Sequence, residues 1–325
     1  MSNTAVSHRE EILVRVDDVA EVADRVKRFR LVPVGTGRLP AFSGGAHITV
    51  MMDNGQRRIR NPYSLMSSPA CTQAYEISVL RVAESRGGSQ FMHDRVSPGT
   101  ELWITPPGNQ FPVHQLGRKH VLIAGGIGIT PFMAMTAQLS MLGHDFELHY
   151  AMRTEASGAY GKVLTERYGD RVRLYRTSLG ERIPLADLLE DQPLGTHLYV
   201  CGPERMIDGV LESGRLAGWP EENLHCERFL APPGGDPFVV RLARSELDVH
   251  VGEHESILEA VEAAGVDPPY LCRGGVCGQC ETRVLSHDGV LDHNDHYLTD
   301  EERAAGQQLM ICMSRFRGRE LTLDL

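Results

Sequence analysis

The stretch Cys272-Arg-Gly-Gly-Val-Cys277-Gly-Gln-Cys280, completed far downstream by Cys312, constrains this chain more than any other. Four of the seven cysteines lie in a C-x4-C-x2-C…C pattern, the plant-type ligand spacing for a [2Fe–2S] cluster. Each iron needs two thiolates, and three of the four can come from one loop only if its backbone stays compact. Gly274, Gly275 and Gly278 permit that close approach and any positive φ it requires. The competing readings are a zinc site and disulfides. Zinc sites commonly present two short C-x2-C hooks, and only one is present here. Cys272, Cys277, Cys280 and Cys312 are therefore the expected metal ligands.

At 325 residues the chain has room for two or three domains with separate cores. No apolar run approaches the ~18 residues of a membrane span. The opening MSNTAVSHREEILV lacks the basic-then-apolar layout of a signal peptide, and the cysteines form no distributed disulfide framework. The expected location is the cytoplasm. A net charge of −10 argues against nucleic acid as a partner. The charge is uneven: residues 237–325 carry −8 and the remainder −2. Electrostatic steering toward a basic partner and ordinary solubility both fit that excess.

Upstream, residues 11–17, 47–52, 75–82 and 101–105 read as short strands, separated by turn signals at Asp53-Asn-Gly and Ser97-Pro-Gly. Such spacing predicts an antiparallel barrel or sandwich, with no long helix before residue 130. Two stretches stand out there. Arg60-Asn61-Pro-Tyr63-Ser64-Leu65 offers a ring and a hydroxyl that can flank an isoalloxazine. Arg86-Gly87-Gly88-Ser89 opens a short helix and offers free N–H groups to a phosphate. Each signal is weak alone, since Gly-Gly is commonly a plain turn.

From Lys119 the periodicity changes. An apolar run, 120–124, leads into Gly125-Gly126-Ile-Gly128-Ile-Thr130-Pro131 and then a helix over 132–142. Strand candidates at 146–152, 171–175, 197–201 and 224–228 alternate with helices, notably one around 204–217. That alternation predicts a mostly parallel sheet with covered faces. The glycine turn is not G-x-G-x-x-G, but it brings N–H groups to a pyrophosphate in the same manner. Cys201-Gly202-Pro203 closes a later strand, where open α/β sheets place ligands. Cys201 has two readings, core filler and lining of the nicotinamide pocket.

Residues 230–237, Leu-Ala-Pro-Pro-Gly-Gly-Asp-Pro, read as a linker. Beyond it, 238–242 and 247–251 read as a hairpin, and Ser256–Glu259 as a capping box opening a helix that Gly265 ends. Further strands are expected at 281–285, 309–313 (carrying Cys312) and 320–325. His287, His293 and His296 cluster in sequence without a completing partner at metal-ligand spacing.

The three modules in this order, with Y-S-L, G-G-S, G-G-x-G-I-T-P, C-G-P and the terminal cysteine pattern, resemble the phthalate dioxygenase reductase family within the ferredoxin–NADP reductase superfamily. The resemblance runs from end to end. It implies a multidomain protein: an antiparallel β-barrel flavin domain (1–116), an α/β parallel-sheet nucleotide-binding domain (117–229), the linker (230–237), and an α+β plant-type ferredoxin domain (238–325).

The resemblance also implies FMN and NADH beside the [2Fe–2S] cluster and a Rieske-type oxygenase as electron acceptor; a monomer is the default expectation for a diffusing electron carrier. By the same likeness Tyr63 and Ser64 contact the flavin, Gly87–Ser89 hold its phosphate, Thr130, Cys201 and Gly202 lie near the nicotinamide, and Phe229 lies near the flavin. The family's R-x-Y-S is altered here, with Asn61 in the arginine position and Arg60 one residue earlier. Two alternatives for the acceptor side are a cytochrome P450 partner and a slow redox-sensing role. No hydrolytic constellation is present, which suits hydride transfer, a reaction that requires positioning rather than a general base.

Overall fold

The computed structural model describes residues 11–53, 55, 58–83 and 86–325. Residues 1–10, which include most of the opening segment, and Asn54 of the first turn signal lie outside the described residues. The chain forms two compact units, one ending at Arg228 and the other spanning Phe229–Leu325.

The first unit begins with an antiparallel sheet of β1 (Ile12–Ala23), β2 (Val26–Pro33), β3 (Ala46–Asp53), β4 (Arg58–Ser64), β5 (Tyr75–Leu80) and β6 (Glu101–Ile104). Their order is β4-β3-β6-β1-β2-β5, and the two-residue β7 (Gly108–Asn109) adds to β3. The sequence pattern missed β2. Its buried residues Val26, Phe29 and Leu31 do not alternate strictly, because β1 is irregular opposite it, with register shifts at Val16/Asp18 and Glu21/Ala23. A helix, α1 (Gly88–Arg95), follows β5; Gly87 caps it in a left-handed conformation with φ 104°.

The same unit continues into a parallel sheet of β8 (Lys119–Gly125), β9 (Asp145–Met152), β10 (Val172–Arg176), β11 (Thr196–Cys201) and β12 (Leu224–Glu227), ordered β10-β9-β8-β11-β12. Strand runs such as Val121-Leu-Ile-Ala124 are wholly buried because helices cover both faces. α2 (Thr130–Leu142) and α3 (Gly161–Tyr168) supply Phe132, Met135, Leu139 and Leu164 to one face. α4 (Leu185–Glu190) and α5 (Glu204–Leu216) supply Leu188, Leu189, Ile207, Val210 and Leu211 to the other. Each such fully buried aliphatic or aromatic side chain contributes roughly 1.5–3 kcal/mol.

The two sheets of this unit are fastened together. Gly44 N–H donates to Gln138 Oε1 on α2 at 2.6 Å, and the hydroxyls of Ser78 and Tyr160 are 2.7 Å apart. A Cβ on Gly44 would lie 2.8 Å from Met135 Cα, so only glycine allows this approach.

The second unit holds β13 (Phe238–Leu242), β14 (Leu247–Val251), α6 (Ile257–Ala263), β15 (Glu281–His287), β16 (Val290–Asp292), α7 (Asp300–Ala305), β17 (Gln308–Met310), β18 (Arg315–Arg317) and β19 (Leu321–Leu323). The main sheet runs β14-β13-β19-β15-β17, and β16 pairs with β18. The capping box forms as read from sequence: Ser256 Oγ accepts from Glu259 N–H while Glu259 reaches back to Ser256 N–H.

One expectation is corrected. β17 ends at Met310, so Cys312 sits on a turn beyond the strand, where Met313 N–H bonds back to Met310 O. The 230–237 stretch has no regular structure, yet its end is fastened to the second unit. The buried Arg315 guanidinium donates to Gly235 O and Asp236 O at 3.0 and 2.9 Å, and also to Gly252 O and Glu255 O.

No helix among the described residues is long and apolar enough to cross a membrane.

Candidate functional site

Asn61, Tyr63 and Gly88 come together. Asn61 and Tyr63 share one face of β4, being two residues apart, and Asn61 Nδ2 donates to Tyr63 Oη at 3.4 Å. A Cβ on Gly88 would fall 2.2 Å from Asn61 Nδ2, so the amide lies directly against the start of α1. Strand alternation places Arg60 on the opposite face from this pair. Burial pushes the Tyr63 phenol up to about 12, so it remains a neutral hydroxyl. Ser89 Oγ accepts from Val82 N–H at 3.2 Å, which ties the first turn of α1 to the end of β5. The cradle of Gly87, Gly88 and Ser89 beside a polar amide and a phenol has the donors and the narrowness that a flavin phosphate and ring edge require. Leu65 is fully buried and anchors the end of β4.

Ser64 faces elsewhere. Its Oγ donates to Glu227 Oε2 at 3.4 Å, joining the end of β4 to the end of β12. Glu227 is the residue that sequence reasoning missed. A carboxylate near a strand end is ordinary in sequence, and only the fold half-buries it against Ser64. Burial pushes its carboxyl up to about 8, so it is largely protonated at neutral pH.

The glycine turn lies at the switch point of the parallel sheet. β8 is central, β9 lies to one side and β11 to the other, and the crevice opens at their carboxyl ends. Gly126 has φ 54°. A Cβ on Gly128 would fall 2.3 Å from Cys201 O, and one on Gly125 would fall 2.8 Å from Pro203 Cδ. The 125–128 turn and the Cys201-Gly202-Pro203 turn therefore interlock. Pro131 sits in the first turn of α2, where its missing N–H costs nothing. Thr130 Oγ1 donates to Ile127 O at 3.1 Å and braces the turn. The Cys201 thiol is buried in the core with Phe132 and Tyr199, and burial pushes it up, so it is an unionised thiol. On the edge of the crevice, Thr154 caps a short turn over Glu155–Ser157, leaving Arg153 and Glu155 exposed.

In the second unit the four cysteines converge. Cys280 and Cys312 are buried, and Cys272 and Cys277 are half-buried. Cys272 lies beside Cys277 and Cys312, and Cys280 beside Cys312. Gly274 N–H donates to Cys272 Sγ at 3.3 Å, and the N–H groups of Val276 and Gln279 serve Cys272 and Cys277. Positive φ at Arg273 (53°), Gly275 (70°) and Gly278 (75°) curls the loop so that its amides face inward. Four mutually adjacent sulfurs supplied with backbone N–H donors are the donor set that a [2Fe–2S] cluster takes. Gly278 leaves room for Tyr297, whose Cζ would be 2.3 Å from an added Cβ.

An antiparallel sheet with a phosphate cradle, a parallel sheet with its glycine turn at the switch point, and a cysteine-loop unit together define a modular flavin and iron–sulfur oxidoreductase. Residues 104–224 match the model of the dimethylamine monooxygenase subunit DmmA-like N-terminal domain, and residues 240–317 match the 2Fe-2S iron-sulfur cluster binding domain. The chain is 43% identical over 312 residues to the heme-dependent oxidative N-demethylase beta subunit of Ectopseudomonas mendocina (strain ymp), covering 96% of this chain and 98% of that one. It is 43% identical over 317 residues to the carnitine monooxygenase reductase subunit of Escherichia coli (strain K12), covering 96% and 98%. Among solved structures it superposes on phthalate dioxygenase reductase with a TM-score of 0.87 and 32% identity, covering 97% of this chain and 98% of that one. The chain belongs to the phthalate dioxygenase reductase-like family of oxygenase reductase components. It is an NADH-dependent oxidoreductase with FMN and a [2Fe–2S] cluster as cofactors, and it transfers electrons to an oxygenase.

Proposed function

We propose that this chain delivers electrons from NADH to a Rieske-type oxygenase whose substrate is a small N-methylated compound. The observation that carries the reading is the end-to-end likeness to phthalate dioxygenase reductase, spanning 97% of one chain and 98% of the other. The relatives named for N-demethylation and for carnitine oxidation support the substrate class. When bound, FMN takes a hydride from NADH and the cluster carries single electrons onward.

The chain's own residues hold and shield these groups. Gly87, Gly88 and Ser89, with Arg86 beside them, bind the FMN phosphate. Asn61 stands on the phosphate side in place of the family's arginine, and Arg60 lies on the other face. Tyr63 packs on the isoalloxazine. Ser64, whose Oγ donates to neutral Glu227, ends the strand beside Tyr63 without placing a charge there. The family likeness assigns Phe229 to the flavin as well. Gly125, Gly126 and Gly128 approach the pyrophosphate, and Thr130, Pro131, Gly202 and Pro203 shape the nicotinamide end. The Cys201 thiol serves as neutral packing beneath it. Cys272, Cys277, Cys280 and Cys312 ligate the cluster.

The seven-stranded sheet closes as a flavin barrel within residues 1–116, the nucleotide domain follows over 117–229, and 238–325 form the ferredoxin domain. Glu155 favours NADH over NADPH, because a carboxylate accepts from a free ribose hydroxyl and repels a 2′-phosphate. A diffusing monomer in the cytoplasm suits the role.

The test is reconstitution with NADH and candidate oxygenases, measuring coupled substrate turnover. Turnover with a Rieske oxygenase supports the reading. Turnover only with a haem-containing oxygenase favours the second reading, to which the haem-dependent relative points. Comparing kcat/KM for NADH and NADPH in the wild type and in Glu155→Gln tests the nucleotide assignment; equal preference in both sinks it.

A further inference from the structure

The three-cysteine loop and the turn that carries Cys312 come from separate parts of the chain, and one helix touches both. Leu258 N–H, in the first turn of α6, donates to Ile311 O at 2.9 Å, beside Cys312. Glu262, one helical turn further on, forms an ion pair with Arg273, beside Cys272. Both side chains are almost entirely buried, at 7% and 6% exposed. The Arg273 guanidinium carbon lies over the Tyr270 ring, 3.9 Å from its centroid. Arg273 also holds φ 53°, which is unfavourable for a residue with a Cβ and persists only where surroundings enforce it. A buried ion pair is weak evidence of stabilisation, because desolvating both charges offsets their attraction. Its position therefore calls for a role other than stability.

We propose that Glu262 and Arg273 are positioning residues for the iron–sulfur cluster. Their pair fixes the cysteine loop on α6 and keeps the net charge beside the cluster at zero, so that neither charge alone displaces its reduction potential. The inference rests on the cluster assignment above. Reduction adds one negative charge to the cluster. A lone Arg273 cation in a poorly screened interior favours the reduced form, and a lone Glu262 carboxylate opposes it. Removing either partner also leaves an uncompensated buried charge and loosens the loop.

The experiment uses the full chain as Glu262→Gln, Arg273→Gln and the double variant. The readouts are an EPR-monitored potentiometric titration and the half-life of cluster absorbance under chelator. The expected result is a potential raised in Glu262→Gln, lowered in Arg273→Gln and returned toward wild type in the double variant. The chelator half-life should fall severalfold in both single variants. A purely structural role moves both potentials the same way, and that outcome, or two unchanged potentials, overturns the proposal. If Glu262→Gln loads no cluster, Glu262→Asp decides: a wild-type potential upholds the pair and a displaced one overturns it. A wild-type protein without a [2Fe–2S] spectrum would instead overturn the cluster assignment itself, and this inference with it.

Discussion

Ser64 Oγ and Glu227 Oε2 lie 3.4 Å apart, although 163 residues separate them in the chain. The bond joins the last residue of the strand that carries Tyr63 to the last residue of the nucleotide sheet. The Glu227 carboxyl is raised from 4.5 to about 8, first by burial, with the Ser64 bond acting weakly in the opposite direction. Between those two values the unfolded chain has lost a proton that the folded chain keeps. Stability therefore falls as pH rises across that window, by up to about 1.4 kcal/mol per pH unit. Urea midpoints measured at pH 6 and pH 8.5 should drop for the wild type and stay level for Glu227→Gln. Parallel behaviour of the two proteins would show that Glu227 ionises normally.

Cys312→Ser tests the cluster ligands. The substitution should abolish the visible absorption of the cluster and the onward flow of electrons. Bleaching of the flavin by NADH should persist, because the residues proposed for the flavin and the nucleotide, Phe229 apart, lie in the other unit. An intact cluster spectrum in this variant sinks the ligand assignment.

Gly44→Ala tests how tightly the two sheets of the first unit are matched. An added methyl would stand 2.8 Å from Met135 Cα and 3.0 Å from Met135 N, both backbone atoms of α2. The helix must shift to clear it, and its first residue is Thr130. A loss of about 1–3 kcal/mol is expected, read as a lower Tm. Stopped-flow should show slower flavin reduction by NADH with the cluster spectrum unchanged. A normal hydride-transfer rate would mean that the contact does not set the geometry.

Arg315→Met tests the anchoring of the segment between the units. Methionine retains much of the volume but leaves the carbonyls of Gly235, Asp236, Gly252 and Glu255 without their donor. About 3 kcal/mol should be lost from the second unit. Limited proteolysis should then cut first within 230–237. Unchanged protease resistance would show that Arg315 is not what holds the segment.

The modules themselves were legible because their signals are local. The cysteine spacing in 272–280, the Gly125–Pro131 turn, the Ser256–Glu259 capping box and the apolar run at 120–124 each depend on residues close in sequence; the turn, the capping box and the apolar run appear where expected, and the cysteines fall within the matched 2Fe-2S domain. The tertiary structure decided what distant segments do to one another. It set Glu227 against Ser64 and Asn61 against Gly88, packed Gly44 on Met135 and brought Arg273 to Glu262. It also moved Cys312 from a strand to a turn. A carboxylate, an amide or a glycine carries no local mark of such a contact. Its meaning comes from burial and from the partner across the fold, and neither exists until the chain has folded.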